Sequence, residues 1–80
     1  MRVPEKLRHF DICVSKTDRT SSRYTIYNVT TALAKAHGTR LFRDPLVRDV
    51  YVIERNVREW FRRREDKAWT LVDDTAPNLP

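Results

Sequence analysis

A chain of eighty residues has room for one hydrophobic core and no more. At this length roughly 60–65% of the unfolded surface is buried on folding, so the core is thin. Its material is the 40% of residues that are apolar, eight of them aromatic. That is enough for a folded domain and argues against a wholly disordered chain. The longest apolar run, Val50–Ile53, is far too short for a membrane span. The opening MRVPEKLRHFD has no apolar stretch of the secretory kind. A single cysteine, Cys13, allows no internal disulfide and points to a reduced, cytoplasmic setting.

The charge is lopsided. Sixteen Lys and Arg stand against eleven Asp and Glu, a net of +5. All sixteen cations fall within residues 1–67, together with nine of the acids, which raises the net there to +7. Arginine outnumbers lysine by 12 to 4. Its planar fork suits phosphate or carboxylate, so an anionic partner is expected. A solvated surface that only keeps a small domain soluble has equal standing.

Hydrophobic spacing divides the chain. Residues 1–8 read as a flexible lead-in, 9–72 as one small α+β domain, and 73–80 as a disordered or extended tail. His9–Ser15 alternates, with Phe10, Ile12 and Val14 on one side and Asp11, Cys13 and Ser15 on the other. Arg23–Thr31 is aromatic and β-branched, and it should pair with the first strand as a hairpin. Ala32–Gly38 fits a short helix, with the only glycine as its C′ residue, and fits equally the tip of a β–β connection. Asp44-Pro45 reads as a turn, and the β-branched run after it as a third strand over 47–54. Ala68–Val72 reads as a short strand or an extended packing segment.

Arg55–Lys67 lacks Gly and Pro and is dense in helix formers. At 100° per residue, Val57, Trp60 and Phe61 gather on one face as core anchors. The arginines face water, where Arg55, Arg58, Arg62 and Arg63 form a candidate phosphate-binding stripe. The bland alternative is mutual neutralisation through the i,i+4 pairs Arg55–Glu59, Glu59–Arg63 and Arg62–Asp66. The expected architecture is therefore a three-stranded antiparallel meander packed by one Arg-rich amphipathic helix over 55–67.

Catalysis is not expected. No paired acid and base, and no nucleophile with its base, stands at a usable spacing. Cys13, His9 and His37 lack metal-ligand spacing, and one glycine cannot build a phosphate-cradling loop. Neither a metal nor a cofactor is expected, nor is a small-molecule substrate.

Several short motifs follow one another in a familiar order: Phe10-Asp11-Ile12-Cys13-Val14, then Tyr24-Thr25-Ile26-Tyr27-Asn28-Val29-Thr30-Thr31, then Ile53-Glu54-Arg55-Asn56-Val57-Arg58-Glu59-Trp60, and finally Pro77-Asn78-Leu79-Pro80. In this order the chain resembles the first part of a PX (phox homology) domain of the sorting-nexin type. The resemblance implies a meander with a helix across it and a role at endosomal membranes, through phosphoinositide or a protein partner. In that family an arginine pair followed by an aromatic opens the helix. The second arginine holds the 3-phosphate and the aromatic stacks on the inositol ring. Here Arg55 matches the first arginine, while those two places hold Asn56 and Val57. The resemblance thus implies a binding module with weakened or lost phosphoinositide affinity. Two other readings stand beside it: a small basic nucleic-acid-binding protein of the viral or phage regulator type, and a protein-binding inhibitor or adaptor.

Overall fold

The computed structural model describes residues 6–55 and 59–73. Among them are β1 (Arg8–Lys16), β2 (Ser21–Val29), α1 (Thr31–Leu41), β3 (Val47–Glu54), β4 (Glu59–Arg64) and β5 (Thr70–Asp73). The strands form one sheet in the order β2-β1-β3-β4-β5, with every neighbouring pair antiparallel. The α+β class is therefore correct, but the finer architecture is not. The sheet has five strands instead of three, and β1, not β2, lies between its two early partners. The helix is α1, not residues 55–67. Of the expected lead-in and tail, residues 1–5 and 74–80 lie outside the described residues.

The first three strands form for the expected reason. Phe10, Ile12 and Val14 of β1 and Val50 and Val52 of β3 alternate onto one face and are buried there with Val47. Facing them is α1, which runs from the edge strand β2 over β1 to β3. Thr30 caps it, its hydroxyl accepting from the Leu33 N–H at 3.1 Å. Such a cap contributes about 1 kcal/mol. Ala34 and Gly38, four residues apart, are the buried residues of the helix.

Gly38 therefore sits inside the helix and not at its C′ position. Its φ is not positive, so conformational freedom is not the reason for it. The reason is closeness. A Cβ at Gly38 would stand 2.7 Å from Trp69 Cη2 and 3.2 Å from Val50 Cγ1. Trp69 is held there by its indole N–H, which donates to Thr39 Oγ1 at 3.1 Å. Alanine would gain about 1 kcal/mol of helix propensity. It would also force the indole away, an overpacking cost of about 1–3 kcal/mol. Gly38→Ala should thus lower stability by about 1 kcal/mol net, with altered Trp fluorescence. An unchanged urea midpoint would show that Trp69 does not rest on the helix.

With only one glycine in the chain, left-handed backbone falls to other residues. Arg19 (φ 69°) turns the β1–β2 loop, Asn28 (φ 56°) makes a bulge opposite His9, and Asp66 (φ 59°) turns β4 into β5. Asn and Asp tolerate this region, whereas arginine gains nothing from it. Arg19→Gly should raise stability by about 0.5–1 kcal/mol, read as a higher urea midpoint.

The main correction concerns residues 55–67. β3 ends at Glu54, and after the undescribed residues 56–58 the chain returns as β4, paired with β3 from Asp49↔Arg64 to Ile53↔Trp60. Three i,i+4 pairs would have given a helix about 1 kcal/mol in all. As a strand, the segment packs a large aromatic on each face of the sheet, at about 2 kcal/mol each, and satisfies its backbone against β3. Trp60 and Phe61 therefore do not share a face. Phe61 packs under the helix with the main core, while Trp60 is buried on the opposite face with Cys13 and Ile53. Val57, the third expected anchor, and Arg58 lie outside the described residues.

Candidate functional site

Among the described residues, the helix covers one face of the sheet and leaves the other open. Strand register lays out the open face in rows. Thr25, Asp11, Ile53, Trp60 and Val72 make one row, and Arg23, Cys13, Tyr51, Arg62 and Thr70 the next. A third holds Ser21, Ser15, Asp49 and Arg64. Beyond the first row, Tyr27 meets His9 edge-to-face at 5.1 Å.

The floor of this face is apolar and closed. Cys13 is 4% exposed and Trp60 9%. Tyr51 meets Trp60 edge-to-face at 5.6 Å, and Val72 packs alongside. Burial pushes the Cys13 thiol up. The Arg23 charge opposes this and the Asp11 charge adds to it. Cys13 is therefore a packed side chain with little thiolate character.

Charge sits on this floor in two clusters, each a carboxylate between two guanidiniums. Asp11 accepts from Arg23 Nη2 at 2.9 Å and from Thr25 Oγ1 at 2.8 Å, with Arg55 Nε at 3.4 Å. Burial alone would push the Asp11 carboxyl up. The bonds from Arg23 and Thr25 and the charges of Arg23 and Arg55 outweigh it and hold the group below its ordinary value of 3.8. Asp49 faces Arg62 Nη2 at 3.3 Å and Arg64 Nε at 3.7 Å. The Arg62 guanidinium also lies over the Tyr51 ring, 5.1 Å from its centroid. Its Nε is buried without a hydrogen-bond partner among the described residues. Four guanidiniums against two carboxylates leave this face cationic, with donors beyond those that the carboxylates take up.

The expected arginine stripe is thus divided. Arg55 and Arg62 belong to the open face, at opposite clusters. Arg63 points the other way. It donates from Nε to the Lys67 carbonyl at 2.9 Å and from Nη1 to Thr39 Oγ1 at 3.3 Å, and stacks on Phe42. It ties β4 to α1. Arg23, Arg64, Asp11, Asp49 and Tyr51 join the site without having been singled out from the sequence. Their signal is period two, since Asp49, Tyr51 and Ile53 alternate as Trp60, Arg62 and Arg64 do.

Among the described residues no three His, Cys, Asp or Glu side chains converge in a metal-binding group, and no helix is long and apolar enough to cross a membrane. Comparisons with protein families, with curated proteins and with solved structures find no match for this chain.

Proposed function

We propose that the chain is a non-catalytic nucleic-acid-binding module that takes a single strand across its open sheet face. The observation that carries this reading is the interleaving of Arg23, Arg62 and Arg64 with Tyr51, over the floor that Trp60 closes, on a surface that the helix leaves uncovered. Single strands are held by grooves that combine phosphate-binding cations with aromatic rings, and stacking contributes about 1–3 kcal/mol per base. Tyr27, 60% exposed at the rim, offers a ring for such stacking. The Arg62 guanidinium over Tyr51 offers a second flat cationic surface.

Fluorescence anisotropy with a labelled oligothymidylate tests the proposal. Each phosphate contact on a single strand adds about −0.7 to the slope of log K against log salt, so three or four arginine contacts give a slope of about −2 to −3. Arg23→Ala with Arg64→Ala should weaken binding and flatten that slope. A flat salt dependence, or no binding at low salt, rejects the proposal. Vesicles carrying phosphatidylinositol 3-phosphate serve as the competing arm. Tighter binding to them than to the oligonucleotide, lost in Arg55→Ala, would instead favour the phosphoinositide module implied by the PX resemblance.

A further inference from the structure

One concavity on the open face differs in charge from its neighbour. It lies beside β5, has a volume of about 400 Å³, and is lined by Arg62, Arg64, Lys67, Ala68, Thr70 and Val72. Among the described residues, three cations border it and no carboxylate does. The comparable hollow at the other side of Arg64, about 420 Å³, is lined by Arg48, Asp49, Arg64 and Glu65 and is charge-balanced. The first is also the one with an apolar wall, made by Ala68, Val72 and the Thr70 methyl. Its size falls at the small end of the range for small-molecule sites.

From these facts we infer that the β5 concavity is a site for a single nucleotide unit, with the phosphate among Arg62, Arg64 and Lys67 and the flat base against Ala68, Thr70 and Val72. The inference rests on the nucleic-acid reading and narrows it, since it says where one nucleotide of the strand is seated. Two features favour this chemistry over a bare anion. Arg64 is 64% exposed at its side chain and its contact to Asp49 Oδ1 is a long 3.7 Å, so it can turn toward a phosphate at little cost. The wall beside the cations carries no charge, and a flat ring would bury it. An inorganic anion would use the cations and leave the wall wet.

The test is amide-resolved NMR titration of the whole chain with adenosine monophosphate, inorganic phosphate and adenosine in parallel. Adenosine monophosphate should shift the amides of residues 62–72 and bind roughly tenfold more tightly than phosphate or adenosine alone, because each lacks one half of the recognition. Ala68→Glu, an exposed substitution that puts a carboxylate among the cations, should weaken adenosine monophosphate by about tenfold or more. Equal affinity for phosphate and adenosine monophosphate would overturn the inference, as would shifts centred away from β5. An oligothymidylate titration separates this failure from that of the broader reading. If the oligonucleotide binds Ala68→Glu as tightly as wild type, with shifts at Arg23 and Tyr27, the face binds nucleic acid but the pocket is not a subsite. If adenosine monophosphate binds at β5 and the oligonucleotide does not bind, the pocket stands and the single-strand reading falls.

Discussion

Trp60→Ala should lower the free energy of unfolding by about 3–5 kcal/mol. The indole is 9% exposed and packs with Cys13, Ile53, Tyr51 and Val72 on the face opposite α1. Ile53, Tyr51 and Val72 are fixed to the sheet and fill the space it leaves only in part. A domain of this length has about 4–12 kcal/mol of stability in total. The loss is therefore a large share of it, and the variant is best measured at low temperature or with stabilising salt. Urea unfolding followed by circular dichroism gives the number. Trp60→Val separates strand from helix at this position, since valine suits a strand and keeps part of the apolar contact. It should recover part of the loss. A loss under about 1 kcal/mol in Trp60→Ala would place the indole in solvent and undo the second core.

Asp11→Asn should act in opposite directions on stability and on binding. At neutral pH the carboxylate anchors Arg23, Thr25 and Arg55. Hydrogen bonds to a charged group contribute about 1.5–3 kcal/mol each, less where the partner arginine can rehydrate. Both arginines are partly exposed, so a loss of about 2 kcal/mol is expected. The sign of the pH dependence follows from the lowered pKa. The folded protein binds the Asp11 proton less readily than the unfolded chain does, so this stability is present above the ordinary value of 3.8 and fades as pH falls through the lower folded value. Wild type should lose stability as pH falls through the ordinary carboxylate range and below it. Asp11→Asn should show a shallower decline and approach wild type at the acid end. On the binding side, the variant removes a negative charge from the open face, beside Arg23 and Arg55. Oligonucleotide affinity should rise several-fold at low salt, with a steeper salt slope. A variant both less stable and weaker in binding would show that Asp11 positions the arginines for the ligand and does not compete with it.

The central strands were legible in the sequence because their pattern has one interpretation. Phe10-Asp11-Ile12-Cys13-Val14 alternates cleanly, and the run from Val47 is β-branched, so β3 falls on the expected residues 47–54. β4 was hidden because its sequence carries two periods at once. Glu59-Trp60-Phe61-Arg62-Arg63-Arg64 contains good helix formers and the i,i+4 charge pair Glu59–Arg63, yet from Trp60 on it also sets one aromatic and the arginine two places after it on each face. Which period wins depends on whether a partner strand is waiting; β3 stands directly before this segment and takes it up as a hairpin, a pairing that the spacing within the segment does not show. The site inherited the same error. A helical stripe would have gathered Arg62 with Arg63, whereas a strand sends them to opposite faces. The glycine was misread for a related reason. Its role is set by Trp69, from the connection between β4 and β5, and no local signal marks that approach.

The order of the strands also sets how the chain must assemble in time. Asp49 and Arg62 are 13 residues apart, so β3 and β4 can meet as a hairpin in microseconds. Arg8 and Glu54, joined across β1 and β3, are 46 residues apart. Closing that larger loop costs about 1 kcal/mol more in chain entropy. Folding should therefore run through two preformed hairpins, β1–β2 and β3–β4, that dock along a single seam with α1 as the tether. Phe10, Ile12, Val14, Val50 and Val52 line that seam. Trimming them should slow refolding, whereas trimming residues at the sheet margins, such as Val72, should mainly hasten unfolding.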